Sequence, residues 1–133
     1  MMKLVFKIIG GLLALLVFLF VVQGVASESG EVVVVQTLGA HGEAEETRLW
    51  VVDLDGQQYL RSGSPMAAWY QRMQANPSVQ IQRGDLSFTA TSVPKPELRT
   101  QINQLMNEKY GWADDLIGVM FGRDDAIPIL LQR

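Results

Sequence analysis

The sequence contains no cysteine and only one histidine among its 133 residues. Without cysteine the chain forms no disulfide, offers no thiolate to a metal and has no cysteine nucleophile. The single histidine, His41, stands among glutamates, a context more typical of exposed charge than of a metal site. No G-x-S-x-G elbow, phosphate-binding glycine loop, zinc motif or calcium loop occurs. We therefore predict no bound metal, and the sequence assigns no catalytic residue.

An excess of positive charge is also lacking. Eleven lysines and arginines stand against 14 aspartates and glutamates, which gives a formal net charge of −3. Nucleic-acid-binding domains usually carry a basic stripe or patch, so we predict no nucleic-acid partner. The length suits one domain rather than two.

The one long hydrophobic run is at the N-terminus. Lys3 and Lys7 precede an apolar stretch over residues 8–22, and the acidic Glu28 follows it. A positive flank followed by an apolar run is typical of a signal peptide or a signal anchor. Residues 4–26 reach the roughly 20 apolar residues that a spanning helix needs, provided that Lys7 snorkels to the interface.

Two fates of this segment stay open. The small residues Gly24 and Ala26 suit a peptidase site, so cleavage and export is the alternative to an anchor. In both cases the lysines before the run put the N-terminus in the cytoplasm and residues 27–133 outside. We expect a bacterial-type inner membrane protein with its domain on the periplasmic or extracellular face.

Residues 27–133 combine short strand and helix patterns. Two turn signals, Asp55-Gly56 and Gly84-Asp85, each join a pair of strands into a hairpin. Four consecutive valines predict that the first strand is buried on both faces, and Pro128 predicts an edge position for the last strand. Stretches with strand-like alternation or β-branched content cover residues 31–37, 47–54, 57–62, 79–83, 86–92 and 126–132.

Three helices are predicted between these strands. Ser64-Pro65 predicts a helix start, with an apolar stripe at Met66, Trp69, Tyr70 and Met73. A second stripe runs over Leu98, Ile102, Leu105 and Met106 and ends at Gly111, and a short third helix covers residues 112–121. The acid pairs Asp114-Asp115 and Asp124-Asp125 could act as general acids or bases, but acids in such pairs near helix ends are usually solvated or compensate the helix dipole.

This order of elements predicts the fold class. Hairpins imply a mainly antiparallel sheet, and a chain this short closes it most economically into a small barrel with helices packed outside. The expected fold is a small α+β barrel, closed or partly open, preceded by one hydrophobic transmembrane or signal helix. The domain boundaries are residues 1–26 for the anchor or signal and residues 27–133 for the barrel.

The chain resembles the split β-barrel superfamily of flavin-binding proteins. This superfamily includes the pyridoxamine-phosphate oxidase-like and the deazaflavin-dependent nitroreductase-like proteins. The resemblance covers about residues 31–133 and is carried by the strand pair TRLWVVDLDGQQYLRSGS, the closing strand AIPILLQR and a W-Y-x5-N-P-x-V stretch at Trp69, Tyr70, Asn76, Pro77 and Val79.

The resemblance implies a cofactor, FMN or a deazaflavin, lying across the barrel at the interface of a homodimer. It implies that basic and hydroxyl groups at the ends of the second and third strands hold the phosphate, and that aromatic rings flank the planar group. Carried over to this sequence, the cofactor-binding residues are Arg48, Trp50, Tyr59, Arg61, Ser62, Ser64 and Trp69. The implied activity is that of a nitroreductase-like oxidoreductase.

One loop departs from the family pattern. Deazaflavin nitroreductases carry a basic G-R-K-S-G-like loop after the first strand, whereas residues 39–43 here read GAHGE and are followed by Glu45 and Glu46. An acidic loop repels an anionic cofactor tail. The alternative function is therefore a non-catalytic exported binding or envelope module that keeps the barrel without the cofactor site.

Overall fold

The computed structural model describes residues 1–27 and 30–133, so Glu28, which we placed beyond the apolar run, lies outside the described residues. Over these residues the chain forms helices α1 (Met2–Ser27), α2 (Ala68–Ala75), α3 (Arg99–Tyr110) and α4 (Trp112–Phe121). Its strands are β1 (Val32–Leu38), β2 (Ala44–Leu54), β3 (Gln57–Ser62), β4 (Ser78–Arg83), β5 (Leu86–Pro94) and β6 (Ile127–Gln132).

The strands close into a barrel in the order β1-β2-β3-β6-β5-β4, and every neighbouring pair is antiparallel. The predicted α+β barrel is thereby confirmed. Each strand pairs with a neighbour on both sides over part of its length, so none of the six is an edge strand of an open sheet. At the β2–β3 turn, Asp55 and Gly56 take φ values of 52° and 76°, the conformation that the Asp-Gly pair predicts for a tight hairpin.

Alternate residues of the strands divide the apolar side chains between two cores. The barrel interior holds Val33, Val35, Val51, Leu60, Val79, Ile81, Phe88, Ala90, Ile129 and Leu131, and Met73 of α2 packs with them. On the outside, α3 packs Ile102, Met106 and Tyr110 against Val52, Tyr59 and Leu130. Helix α3 therefore covers the outer face of β2, β3 and β6.

The structure corrects the prediction that β1 is buried on both faces. Val33 and Val35 are fully buried in the barrel, whereas Val32 and Val34 are only half-buried. Strand β1 therefore has one fully buried face and one half-buried face, although its four valines do not alternate with polar residues.

The edge position predicted from Pro128 is also wrong, because β6 lies between β3 and β5 in a closed barrel. The β5–β6 pairing begins at Pro94 and Ile129, one residue past Pro128. The Pro128 carbonyl accepts a hydrogen bond from the Lys95 backbone N–H at 2.8 Å. In an antiparallel strand the N and O atoms of a residue point to the same neighbouring strand. The nitrogen of Pro128, which has no N–H, therefore faces Lys95, just beyond the end of β5, and no hydrogen bond between strands is lost.

Helix α2 begins later than the sequence predicts. Ser64-Pro65 leads into a turn, and the helix starts at Ala68. The Ser64 Oγ accepts a hydrogen bond from the Met66 N–H at 3.0 Å, a local turn interaction that competes with helix formation. Met66 is 76% exposed and lies outside the apolar stripe that Trp69, Tyr70 and Met73 form.

Helix α1 stands apart from both cores. Its described side chains are mostly exposed. Within the part of the chain that the structure describes, Met2–Val22 is the one stretch of helix long and apolar enough to cross a membrane. Helix α1 contacts α4.

A surface cluster of ion pairs ties the start of β1 to β4 and α3. The Glu31 carboxylate accepts hydrogen bonds from Arg83 at 3.0 Å and from the Lys109 ammonium at 2.7 Å. Arg83 also donates to both carboxylate oxygens of Asp53 at 2.8 Å. Hydrogen bonding to Arg83 first, and then to Lys109, lowers the pKa of Glu31 from 4.5 to about 2.

This cluster predicts a pH dependence. Because the pKa of Glu31 is lower in the folded chain, its contribution to stability is present above about pH 4.5 and is lost as the pH falls toward 2. An NMR titration of the Glu31 carboxyl carbon should show the low pKa, and Arg83→Met should raise it toward 4.5. Arg133→Met, at the far end of β6, should leave it unchanged. A pKa near 4.5 in the unmodified chain contradicts the assignment.

Candidate functional site

A pocket of about 170 Å³ opens where the outer face of the β2–β3 hairpin meets α4. Its lining residues are Arg48, Leu49, Trp50, Arg61, Gly63 and Ile117. Arg48 and Trp50 share the outer face of β2 because side chains alternate along a strand, and Arg61 projects from the outer face of β3. The structure thus brings together three of the seven cofactor-binding residues named from the sequence.

The aromatic wall of the pocket is held rigidly. The Trp50 indole stacks on the Tyr110 ring, with centroids 4.2 Å apart and an interplanar angle of 8°. The Tyr110 hydroxyl donates to the Glu31 carbonyl at 2.6 Å and accepts the Val51 N–H at 3.0 Å. Burial raises the pKa of Tyr110 to about 12, so this phenol is neutral near pH 7. These contacts fix the plane of the Trp50 ring.

The basic wall is built around a buried carboxylate. Arg61 Nη2 donates to Asp114 Oδ1 at 2.5 Å, and Arg61 Nη1 donates to Asn103 Oδ1 at 3.2 Å. The Asp114 side chain is fully buried and that of Arg61 is 9% exposed. A guanidinium held at two of its nitrogens keeps a fixed orientation, because its donors form a planar fork.

A second arginine shares the same carboxylate. Arg123 Nη2 lies 3.0 Å from Asp114 Oδ2 and donates to the Asp114 carbonyl at 2.7 Å. The Arg123 side chain lies directly over Gly118 of α4, where an added Cβ would stand 2.6 Å from Nε. Asn107 Nδ2 completes the cluster by donating to Asp114 at 3.3 Å and to Asp115 at 2.6 Å.

We use the name Asp114 clamp for the cluster of Arg61, Asn103, Asn107, Asp114 and Arg123. Of the two interpretations of Asp114, the solvated one is wrong, because its side chain is fully buried, whereas its position in the first turn of α4 is that of an acid that compensates the helix dipole. No charge pattern in the sequence indicates the clamp. The one signal in the sequence for a buried Asp114 is its place on a short, mainly apolar helix, next to Ala113, which is also buried in the structure.

The other four predicted cofactor residues lie outside the pocket lining. Tyr59 is in the outer core beneath α3, and Trp69 packs on the barrel core with its ring edge-on to Tyr70. The buried Ser62 hydroxyl donates to the Ser64 carbonyl at 2.7 Å. The Ser64 hydroxyl is occupied by the turn at Met66.

Acidic side chains lie close to the pocket along β2. Glu46 is two residues from Arg48, on the same outer face and about 6.6 Å along the strand. The β1–β2 loop closes through a Gly39 N–H bond to the Glu43 carbonyl at 2.7 Å, and the His41 N–H donates to the Glu43 carboxylate at 3.0 Å. Among the described residues no group of three or more His, Asp or Glu side chains is arranged to hold a metal ion.

The pocket offers a flat aromatic surface beside two guanidinium groups. This donor set suits a planar molecule that carries an anionic group. A larger hollow of about 520 Å³ lies between the β1–β2 loop and α2, but its lining residues include no aromatic side chain. Its arginine, Arg72, donates from Nε to the buried Thr37 hydroxyl at 2.8 Å.

Comparisons with known proteins agree with this architecture. An F420-H2 dependent reductase is 25% identical over 74% of this chain and 92% of its own, with a TM-score of 0.59. A putative pyridoxamine 5′-phosphate oxidase from Listeria innocua is 11% identical over 75% of this chain and 81% of its own, with a TM-score of 0.57. A protein described as a domain-swapped dimer is 22% identical over 76% of this chain and 79% of its own, with a TM-score of 0.60.

No protein-family model and no curated protein matches the sequence. The fold is that of the split-barrel flavin-binding superfamily, as a closed six-strand barrel with these structural neighbours shows. The resemblance noted from the sequence is confirmed at this level.

The Asp114 clamp predicts a large effect of one substitution. Asp114→Asn removes the charge that balances the buried guanidinium group of Arg61 and the partly exposed one of Arg123, and it should lower the free energy of unfolding by about 3–5 kcal/mol. Urea unfolding of the full chain in detergent, followed by circular dichroism, measures this. Asp124→Asn, at an exposed position, is the matched control and should change stability by less than about 0.5 kcal/mol. Equal stabilities of the two variants would refute the clamp.

Proposed function

We propose that this chain binds a flavin-type cofactor in the pocket formed by Arg48, Trp50 and Arg61 and acts as an oxidoreductase. The observation that carries the proposal is the convergence of a fixed indole and two guanidinium groups on one pocket of a split-barrel fold. When bound, a flavin supplies reversible two-electron transfer. In this proposal Trp50 supports the ring, and Arg48 and Arg61 bind the phosphate.

FMN suits the pocket better than a deazaflavin with an oligoglutamyl tail. A single phosphate needs only the two arginines, whereas a long anionic tail running along the outer face of β2 meets Glu46. Like charges at such spacing repel one another. The similar F420-H2 dependent reductase supports the cofactor class, and the acidic strand end favours FMN within it.

The pocket also argues for a second copy of the chain. Pockets for cofactor-sized ligands usually measure about 300–1,000 Å³. At about 170 Å³, the pocket of one chain encloses only part of a flavin. We propose that two chains form a homodimer and that the second copy completes the wall of each site. The structural neighbour described as a domain-swapped dimer is consistent with this arrangement.

We further propose that α1 anchors the barrel in a membrane. Its apolar stretch is uncovered by the barrel along Met2–Val22, and Lys3 and Lys7 flank its start. Burying such a surface in hydrocarbon is the ordinary way to remove it from water. In this arrangement the N-terminus is cytoplasmic and the barrel is outside, with cleavage after the apolar segment as the alternative.

A second candidate function rests on the Asp114 clamp itself. Because Asp114 already neutralises Arg61, the pocket has less net positive charge than its two arginines suggest. The barrel would then be a non-catalytic binding or envelope module. A well-folded chain that fails to bind FMN would favour this function.

The cofactor proposal predicts a charge-dependent affinity for FMN. Arg48→Ala should weaken binding by about 1.5–3 kcal/mol, or roughly 10- to 150-fold in Kd, because it removes a charge-assisted hydrogen bond. Quenching of FMN fluorescence by the full chain in detergent measures the Kd. Arg48 is exposed, so its loss leaves the Asp114 clamp intact, which Arg61→Ala would not.

Arg133→Ala provides the control, since Arg133 lies over the Phe88 ring at the end of β6. It should bind FMN like the unmodified chain. Absence of FMN binding at millimolar concentration would overturn the cofactor proposal, and equal losses in both variants would overturn the choice of pocket.

The dimer proposal predicts the mass of the particle. Sedimentation of the full chain in a density-matched detergent should give twice the chain mass of 14.8 kDa after correction for bound detergent. FMN should strengthen the dimer, because a ligand bound between two chains stabilises their association by mass action. A monomer that persists at saturating FMN contradicts a shared site.

A further inference from the structure

Helix α4 is oriented opposite to an ordinary surface helix. A surface helix usually buries its apolar stripe and exposes its charged residues. In α4 the Asp114 side chain is fully buried, whereas Trp112, Val119 and Phe121 are 58%, 86% and 64% exposed. The outward-facing side chains of this helix are therefore largely apolar.

The Asp114 clamp sets this orientation. Asp114 is bonded to Arg61 on β3 and to Arg123 just after the helix, so α4 cannot rotate without leaving a buried charge unpaired. Ala113, next to Asp114, is also fully buried. The exposure of Trp112 and Val119 follows from an ion pair that fixes the other side of the helix.

Helix α4 is next to α1. The two helices are in contact, and the side chains of α1 are apolar and exposed over nearly its whole described length. In the remainder of the described chain, large exposed apolar side chains occur singly, at Leu38, Met66 and Leu86. The exposed apolar side chains are therefore concentrated on two helices that contact each other.

We propose that the exposed apolar side chains of α4, which are Trp112 and Val119 on one side of the helix and Phe121 at its last position, insert into the interfacial region of the lipid bilayer beside α1. The proposal rests on the proposed membrane anchoring by α1, since that anchor brings the bilayer to α4. The barrel then lies flat against the membrane in one orientation instead of moving freely on its anchor.

The chemistry of this face suits the boundary between headgroups and acyl chains. Tryptophan is enriched at membrane interfaces, and aliphatic and phenyl side chains reach the acyl boundary. Helix α4 contains no lysine or arginine. Its one exposed acid, Asp115, lies on the same side as Trp112 and Val119, accepts a hydrogen bond from Asn107 and is 3.6 Å from Arg123. Asp124 and Asp125 follow the helix and are exposed. Insertion is therefore driven by apolar burial, and we expect no requirement for anionic lipid.

The absence of cysteine from the sequence makes a direct test available. Single variants Val119→Cys and Phe121→Cys of the full chain, in nanodiscs of zwitterionic lipid, are labelled with a nitroxide. Electron paramagnetic resonance then compares the accessibility of each label to oxygen, which enriches in lipid, and to a water-soluble nickel complex. Leu12→Cys in the middle of α1 reports on the anchor, and Thr89→Cys on the exposed face of β5 is the aqueous control.

Insertion predicts that both α4 labels favour oxygen over nickel and lie about 5–10 Å below the headgroup surface, while the Thr89 label favours nickel. Three results would overturn the proposal, in different ways. A Leu12 label in water removes the anchor itself. A Leu12 label in lipid with α4 labels that behave like Thr89 removes only the insertion of α4. Labels on α4 that are shielded from both reagents, and whose dipolar broadening disappears on dilution with unlabelled chain, show that a second copy covers this face.

Discussion

The carboxylate of Asp114 and the two guanidinium groups around it are the interaction on which the arrangement of this protein depends. Removing a carboxylate from water is costly, and the cost is offset only when charges and hydrogen bonds surround it. Here Arg61, Arg123 and Asn107 provide those partners, from β3, from the segment after α4 and from α3. Strand β3 is thereby held in one geometry with α3, α4 and the segment after α4, which are distant from it in sequence.

Two properties of the molecule follow from that geometry. On one side of the clamp, Arg61 is held at the rim of the pocket that Trp50 and Arg48 share. On the other side, α4 is locked with Trp112 and Val119 outward, next to α1. The same buried ion pair therefore positions both the proposed cofactor site and the proposed membrane-facing surface. A change at Asp114 should disturb both.

The elements with local signals could be predicted from the sequence, and the site could not be predicted in full. Alternation along β2 predicts that Val51 and Trp50 lie on opposite faces of the sheet, and the Asp55-Gly56 pair predicts the hairpin. Both could be predicted because they depend on neighbouring residues alone. The clamp joins Arg61 to Asp114, which are 53 positions apart, so no local pattern announces it. Likewise, the late start of α2 reflects a Ser64 side chain that bonds to a turn rather than capping a helix.

The location of the cofactor site is the central claim, and hydrogen–deuterium exchange of the full chain with and without FMN tests it most directly. The account predicts slower exchange in peptides covering residues 48–50, 61–63 and 112–118 when FMN is bound, with the β4–β5 hairpin unchanged. Protection confined to the hollow beside α2, at residues 68–76, or no FMN-dependent protection at all, would contradict it.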